Sequence, residues 1–120
     1  MVCVPASMEV VYRQMQEHFA LVVGQLRYIE FGAGSVSVEM KKKLFGLLPN
    51  TRLFNTWGST ETGGAVFLDI TNHPDKLASI GRPLDGIEVK AVDLDGNEVA
   101  AKDMETDGRM FLHGRMRMEG

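Results

Sequence analysis

Cysteine is almost absent from this sequence. Cys3 stands alone among 120 residues, so no disulfide can form within the chain and nothing points to an oxidising compartment. Long apolar runs are missing too: no stretch approaches the roughly 20 apolar residues of a membrane span, and the first residues lack the charged-then-apolar order of a secretory signal. Charge of one sign does not dominate. A formal net charge of -3 gives no electrostatic reason to expect nucleic acid or an anionic membrane as a partner. Internal repeats and low-complexity tracts are also lacking. A cytoplasmic protein is the expectation these absences leave.

What remains is ordinary globular material. Apolar residues make up 44% and charged residues 24% of the chain, which argues against disorder. A chain of this length, if it folds alone, buries roughly two thirds of its unfolded surface. Pro5-Ala6-Ser7 reads as a helix entry, after which Met8, Val11, Tyr12, Met15, Phe19 and Val22 recur at helical spacing until Gly24. One amphipathic helix of about four turns is expected. His18 lies beside its apolar stripe with no metal-ligating neighbour and reads as structural.

Leu26 to Phe31 is short and rich in aromatic and β-branched residues, so it reads as a buried strand running into the turn Gly32-Ala33-Gly34-Ser35. Ser37 can cap the next helix, whose apolar positions Met40, Leu44, Leu47 and Leu48 form one face before Pro49-Asn50 stops it. Lys41, Lys42 and Lys43 read as a solvated surface of that helix. Arg52 to Trp57 is then a second strand. Residues 26–57 thus form a strand-helix-strand unit, which implies parallel strands joined by a right-handed crossover. In such a pair the Gly32 and Gly58 loops leave the carboxyl ends of both strands, the edge where ligands bind in open α/β sheets.

Chemistry concentrates in Phe54-Asn55-Thr56-Trp57-Gly58-Ser59-Thr60-Glu61-Thr62-Gly63-Gly64. Gly58 allows a tight turn, and Ser59 and Thr60 offer hydroxyls and N–H groups suited to phosphate oxygens. A carboxylate such as Glu61 beside a phosphate needs a hard cation such as Mg²⁺ between them. Trp57 supplies a flat apolar face on which a purine can stack. An ordinary glycine-rich turn with a buried tryptophan is the competing reading for any one of these residues.

Beyond this stretch, Ala65 to Ile70 reads as a further strand and Thr71-Asn72-His73-Pro74-Asp75 as turn chemistry that marks a boundary. Ile87, Val89 and Ala91 then alternate with Glu88 and Lys90, and Asp95-Gly96 or Gly96-Asn97 suits a hairpin turn before Glu98-Val99. Asp93-Leu94-Asp95-Gly96-Asn97 is not a calcium loop, since its glycine comes two places early and no glutamate follows at position twelve. Arg109 to His113 makes another strand, and residues 115–120 end without a terminal element. The expected class is α/β: a parallel strand-helix-strand sheet piece over residues 1–74, then a β-rich hairpin or distorted-barrel segment over residues 75–120.

Trp57-Gly58-Ser59-Thr60-Glu61-Thr62-Gly63 resembles the aromatic-Gly-x-Thr-Glu signature of the AMP-forming, acyl-activating enzymes, which include acyl-CoA synthetases, luciferases and peptide-synthetase adenylation domains. Leu26 to Met40 is similar to that family's Arg-x-x-x-x-Gly-Gly-Ala-Pro-Leu-Ser stretch, and Ile80 to Val89 resembles its Gly-Arg-Pro-x-x-Gly segment. Order and spacing agree from about Leu26 onward. The resemblance implies that Gly32-Ala33-Gly34 lies against adenine and the acyl pocket and that Trp57 packs beside the adenine ring. It also implies that Gly58, Ser59 and Thr60 belong to the nucleotide site, with Thr60 on phosphate, and that Glu61 holds Mg²⁺. Thr60 and Glu61 are the expected catalytic pair.

The implied reaction joins a small-molecule carboxylic acid and ATP into an acyl-adenylate, then passes the acyl group to a thiol, with CoA as the expected acceptor. Ala33-Gly34-Ser35 departs from the commoner Gly-Ala-Pro. The family's upstream Ser/Thr/Gly-rich loop with its lysine, its downstream ribose-binding aspartate and its lysine-bearing C-terminal domain are not among these residues. An internal fragment, inactive by itself and prone to self-association through open sheet edges, is therefore expected. Two other readings compete. A dinucleotide-binding module is weakened by Ser37 where a third glycine belongs and by the lack of an acid at the end of the next strand; a non-catalytic binding or structural module is the other.

Overall fold

The computed structural model describes residues 1–99 and 108–114. A five-stranded mixed sheet has the order β1-β2-β3-β4-β5, with β1 at Val2–Cys3, β2 at Tyr28–Phe31, β3 at Arg52–Ser59, β4 at Gly63–Asp69 and β5 at Arg82–Pro83. The first three strands are parallel. Tyr28 aligns with Arg52 and Phe31 with Asn55, while Val2 aligns with Glu30. β4 returns antiparallel to β3, and β5 lies antiparallel to β4, so the sheet continues past residue 74. Strands β6 (Ile87–Asp93) and β7 (Gly108–Gly114) form a separate antiparallel pair. That pair is the expected β-rich segment as an open hairpin, with no closed barrel among the described residues.

The helices are α1 (Pro5–Met15), α2 (Phe19–Val23) and α3 (Val38–Leu47). The single four-turn helix expected from the sequence is interrupted by a 3₁₀ turn at Gln16–His18. A 3₁₀ turn has three residues per turn instead of 3.6, so the apolar stripe changes phase across it. Phe19 and Val23 are buried after the break, whereas Val22 and, before it, Val11 face outward. Helix α3 begins as expected, with the Ser37 hydroxyl accepting from the Met40 N–H at 3.1 Å.

The core lies on one face of the sheet. Met8, Phe19 and Val23 from α1 and α2, and Leu44 and Leu48 from α3 and its end, pack on Ile29, Phe31, Leu53, Leu68 and Ile70. These positions alternate along β2 and β3, because successive strand side chains point to opposite faces. Leu47 was expected on the α3 apolar face but lies outside the buried core, 38% exposed. The opposite face carries an aromatic row, with Phe54 stacked on Phe67 at 5.1 Å and Tyr28 tilted against Phe54 at 6.3 Å.

The turn after β4 is tied to β3 by Asp69. Its carboxylate accepts from the Arg52 guanidinium at 2.8 Å, the Asn72 N–H at 3.1 Å and the Asn72 amide at 2.7 Å. Partial burial pulls the Asp69 pKa upward, but these bonds outweigh it and hold the carboxyl below its ordinary value. A depressed folded-state pKa stabilises the fold above the unfolded value of about 3.9 and is lost as pH falls through the folded value. Asp69→Asn should therefore be less stable than wild type at pH 7, with the gap closing below about pH 4. Urea midpoints measured across that pH range check this expectation; a gap that stays constant would contradict it.

Candidate functional site

Two strand ends make the site. Because β2 and β3 run parallel, the Gly32-Ala33-Gly34-Ser35 turn and the end of β3 emerge at the same sheet edge. A cleft of about 500 Å³ opens there, lined by Ala33 and Gly34 from the first segment and by Asn55, Thr56, Trp57 and Gly58 from the second. Its third wall is Leu77-Ala78-Ser79-Ile80, and Lys41 of α3 also lines it. Ala33 sits at φ 58, the left-handed region that disfavours side chains and that concentrates at ligand-facing loops. Gly32 does not line the cleft; its N–H donates to the Cys3 carbonyl at 3.2 Å and closes the parallel pairing with β1.

The second strand is longer than the sequence suggested. It was expected to end at Trp57 and release a loop at Gly58, but β3 continues to Ser59 and pairs with Gly63 and Gly64 across a bulge at Trp57/Gly58. The reason is steric. An added Cβ at Gly58 would stand 1.8 Å from the Gly63 carbonyl oxygen, so only glycine lets the two backbones approach this closely. The loop shrinks to a tight turn at Thr60-Glu61-Thr62.

Ser59 shapes that turn. Its N–H donates to the Thr62 hydroxyl at 3.0 Å, and the two hydroxyls lie 3.2 Å apart. Ser59, Thr60 and Glu61 are exposed at the hairpin tip and do not line the cleft. The Ser59 hydroxyl and the Glu61 backbone N–H hold the Glu61 carboxyl below its ordinary pKa. At neutral pH this is an ionised carboxylate with hydroxyls beside it, a hard oxygen set suited to a cation such as Mg²⁺. No group of three His, Cys, Asp or Glu side chains able to hold a metal occurs among the described residues.

Lys41 was expected on a solvated surface and is instead 5% exposed. Its ammonium donates to the Leu77 carbonyl at 2.7 Å and to the Ser79 carbonyl at 3.4 Å. Burial pulls its pKa below the ordinary lysine value. The signal was present in the spacing: Leu44 and Leu48 lie three and seven residues after Lys41, which puts the lysine on the same helical stripe as those buried leucines. The wall at Leu77–Ile80 was also missed as part of the site. It reaches the cleft because Gly81, at φ +113, brings the chain against β4, where a Cβ would lie 2.1 Å from the Phe67 carbonyl oxygen.

A model of the family described as AMP-binding enzyme matches residues 1–120. The chain belongs to the AMP-binding enzyme family. Among curated relatives, an acyl-CoA ligase azaF of Aspergillus niger is 29% identical over 90 residues, covering 74% of this chain and 17% of the relative. The chain thus spans well under two thirds of that relative's length. Among solved structures, IdnL1 superposes with a TM-score of 0.78 at 27% identity, covering 99% of this chain and 25% of the other. The o-succinylbenzoate CoA synthetase MenE of Bacillus subtilis, solved with its acyl-adenylate intermediate OSB-AMP, superposes with a TM-score of 0.73 at 20% identity, covering 98% and 22%. No helix of the described residues is long and apolar enough to cross a membrane.

Gly58 gives the site its most direct mechanical test. Gly58→Ala should lower stability by at least about 2 kcal/mol and open the β3–β4 hairpin. Urea denaturation and amide exchange at Trp57, Ser59 and Gly64 read this; unchanged protection would contradict the bulge.

Proposed function

We propose that this chain supplies the nucleotide- and acid-binding edge of an ATP-dependent, AMP-forming acid–thiol ligase of the acyl-CoA synthetase type. The observation that carries the reading is the cleft joining Ala33-Gly34 to Trp57-Gly58 at the carboxyl edge of parallel strands. In this assignment Trp57 packs beside the adenine ring, and the Ala33-Gly34 backbone lies against nucleotide and acid, while Gly32 stays outside the cleft lining in its bond to Cys3. Gly58 and Ser59 shape the approach to the phosphates, the Thr60 hydroxyl takes a phosphate oxygen, and Glu61 holds Mg²⁺.

The chemistry follows from charge. A carboxylate oxygen attacks the α-phosphorus of ATP, an O–P bond forms, and pyrophosphate leaves with the electron pair of the broken bond. A thiol, that of CoA in this proposal, then attacks the acyl carbon; the C–S bond forms, AMP leaves, and the thiol proton is lost. Mg²⁺, when bound, neutralises charge building on the phosphates. The hydroxyl of Thr60, carried on the tip of the hairpin, adds a hydrogen-bond donor for the charge developing on the phosphates. A single carboxylate at the tip is compatible with Mg²⁺, which is commonly bound by one or two carboxylates together with substrate phosphates and water.

Trp57 is the chain's one tryptophan, so its emission reports on the cleft without labelling. Mg·ATP should change that emission. Glu61→Gln should weaken Mg·ATP by tenfold or more, about 1.4 kcal/mol, while leaving metal-free ATP unchanged. Equal affinity of both chains for Mg·ATP would remove Glu61 from the metal site.

A further inference from the structure

Among the residues lining the cleft, Lys41 is the one charged side chain, and no carboxylate shares the lining with it. Its ammonium has three hydrogens, of which two are assigned to the Leu77 and Ser79 carbonyls. Those acceptors are neutral dipoles. They satisfy hydrogen bonds but leave the unit positive charge on a side chain that is only 5% exposed. A charge in such surroundings attracts an anion more strongly than the same charge on a wet surface. The tie is firmly held, because Leu77 is itself part of the core.

Position gives the charge a meaning. Thr60 and Glu61, assigned above to the phosphates and the cation, stand at the hairpin tip outside the cleft lining, whereas Lys41 is on the wall built from α3 and Leu77–Ile80. An acid whose reacting carboxylate meets the phosphates at the tip would extend its remaining atoms into the cleft. We propose that Lys41 binds a second anionic group on the acid, so that the cleft prefers dicarboxylic over monocarboxylic acids of the same length. This rests on the adenylation reading of the same site. Because the chain is negative overall, with a formal net charge of -3, a preference for a dianion requires a local positive site and does not arise from the protein's general field.

The test uses the 120-residue chain, Trp57 emission, and two six-carbon probes, adipate and hexanoate, at fixed ionic strength. Wild type should bind adipate about tenfold more tightly than hexanoate. Lys41→Met keeps length and apolar bulk but gives up the two carbonyl bonds of the third wall, so it should weaken both acids and adipate the more, reducing that ratio to within about twofold. A merely structural role for the lysine would weaken both acids to the same extent. Equal affinity of wild type for the two acids overturns the proposal, as does a preference that survives Lys41→Met. The wild-type comparison needs no variant, so a substituted chain that fails to fold does not protect the idea. Mg·ATP titrated alongside separates the two readings: a nucleotide response without dianion preference removes the lysine site alone, and dianion preference without a nucleotide response removes the adenylation reading and keeps the lysine site.

Discussion

Parallel pairing of Tyr28–Phe31 with the start of β3 is the constraint on which the rest of the structure depends. Once Tyr28 aligns with Arg52 and Phe31 with Asn55, the chain must leave both strands at the same edge, and α3 must cross the sheet to connect them. Burial of Ile29, Phe31, Leu53, Leu44 and Leu48 in one cluster holds that register. A slip by one residue would turn these side chains to the opposite face. The cleft is a consequence of this register, since its two principal walls are the continuations of the two strands.

Two further contacts shape what surrounds this edge. The bulge at Gly58 lets β3 and β4 approach until the hairpin tip carries Ser59, Thr60 and Glu61 as a compact set of oxygens. The Lys41 ammonium, bonded to carbonyls of Leu77 and Ser79, fastens the third wall to α3. Both depend on local exceptions to ordinary composition. One is a glycine where a side chain would collide with backbone, the other a cation placed inside. Such departures from local rules are where function is expected in a sequence that otherwise obeys them.

Much of this was legible in the residues. The aromatic and β-branched content of Leu26–Phe31 and the helical spacing in α3, together with Ser37 and the Gly32 turn, sufficed to place the strand-helix-strand unit and the shared sheet edge at which its two strands end. Most of the misses come from tertiary contacts that no local pattern encodes. The two-residue strand β1 is too short to show a period and exists through pairing with β2. The 3₁₀ turn at Gln16–His18 shifts a stripe that looks continuous on paper. Lys41 appeared solvated because it opens a run of three lysines, although its spacing to Leu44 and Leu48 already put it on the buried side. The extension of β3 to Ser59 comes from cross-strand glycines, whose close approach becomes visible only when both strands are present.

The decisive measurement is a map of backbone and indole NMR shifts in the isotope-labelled chain as Mg·AMP is added. One site built by parallel strands requires that Ala33, Gly34 and the Trp57 indole respond together with Thr60 and Glu61 at a single saturating concentration. Shifts confined to one of the two segments, or centred on the separate cleft at Gly86–Glu88 and His113–Gly114, would contradict it.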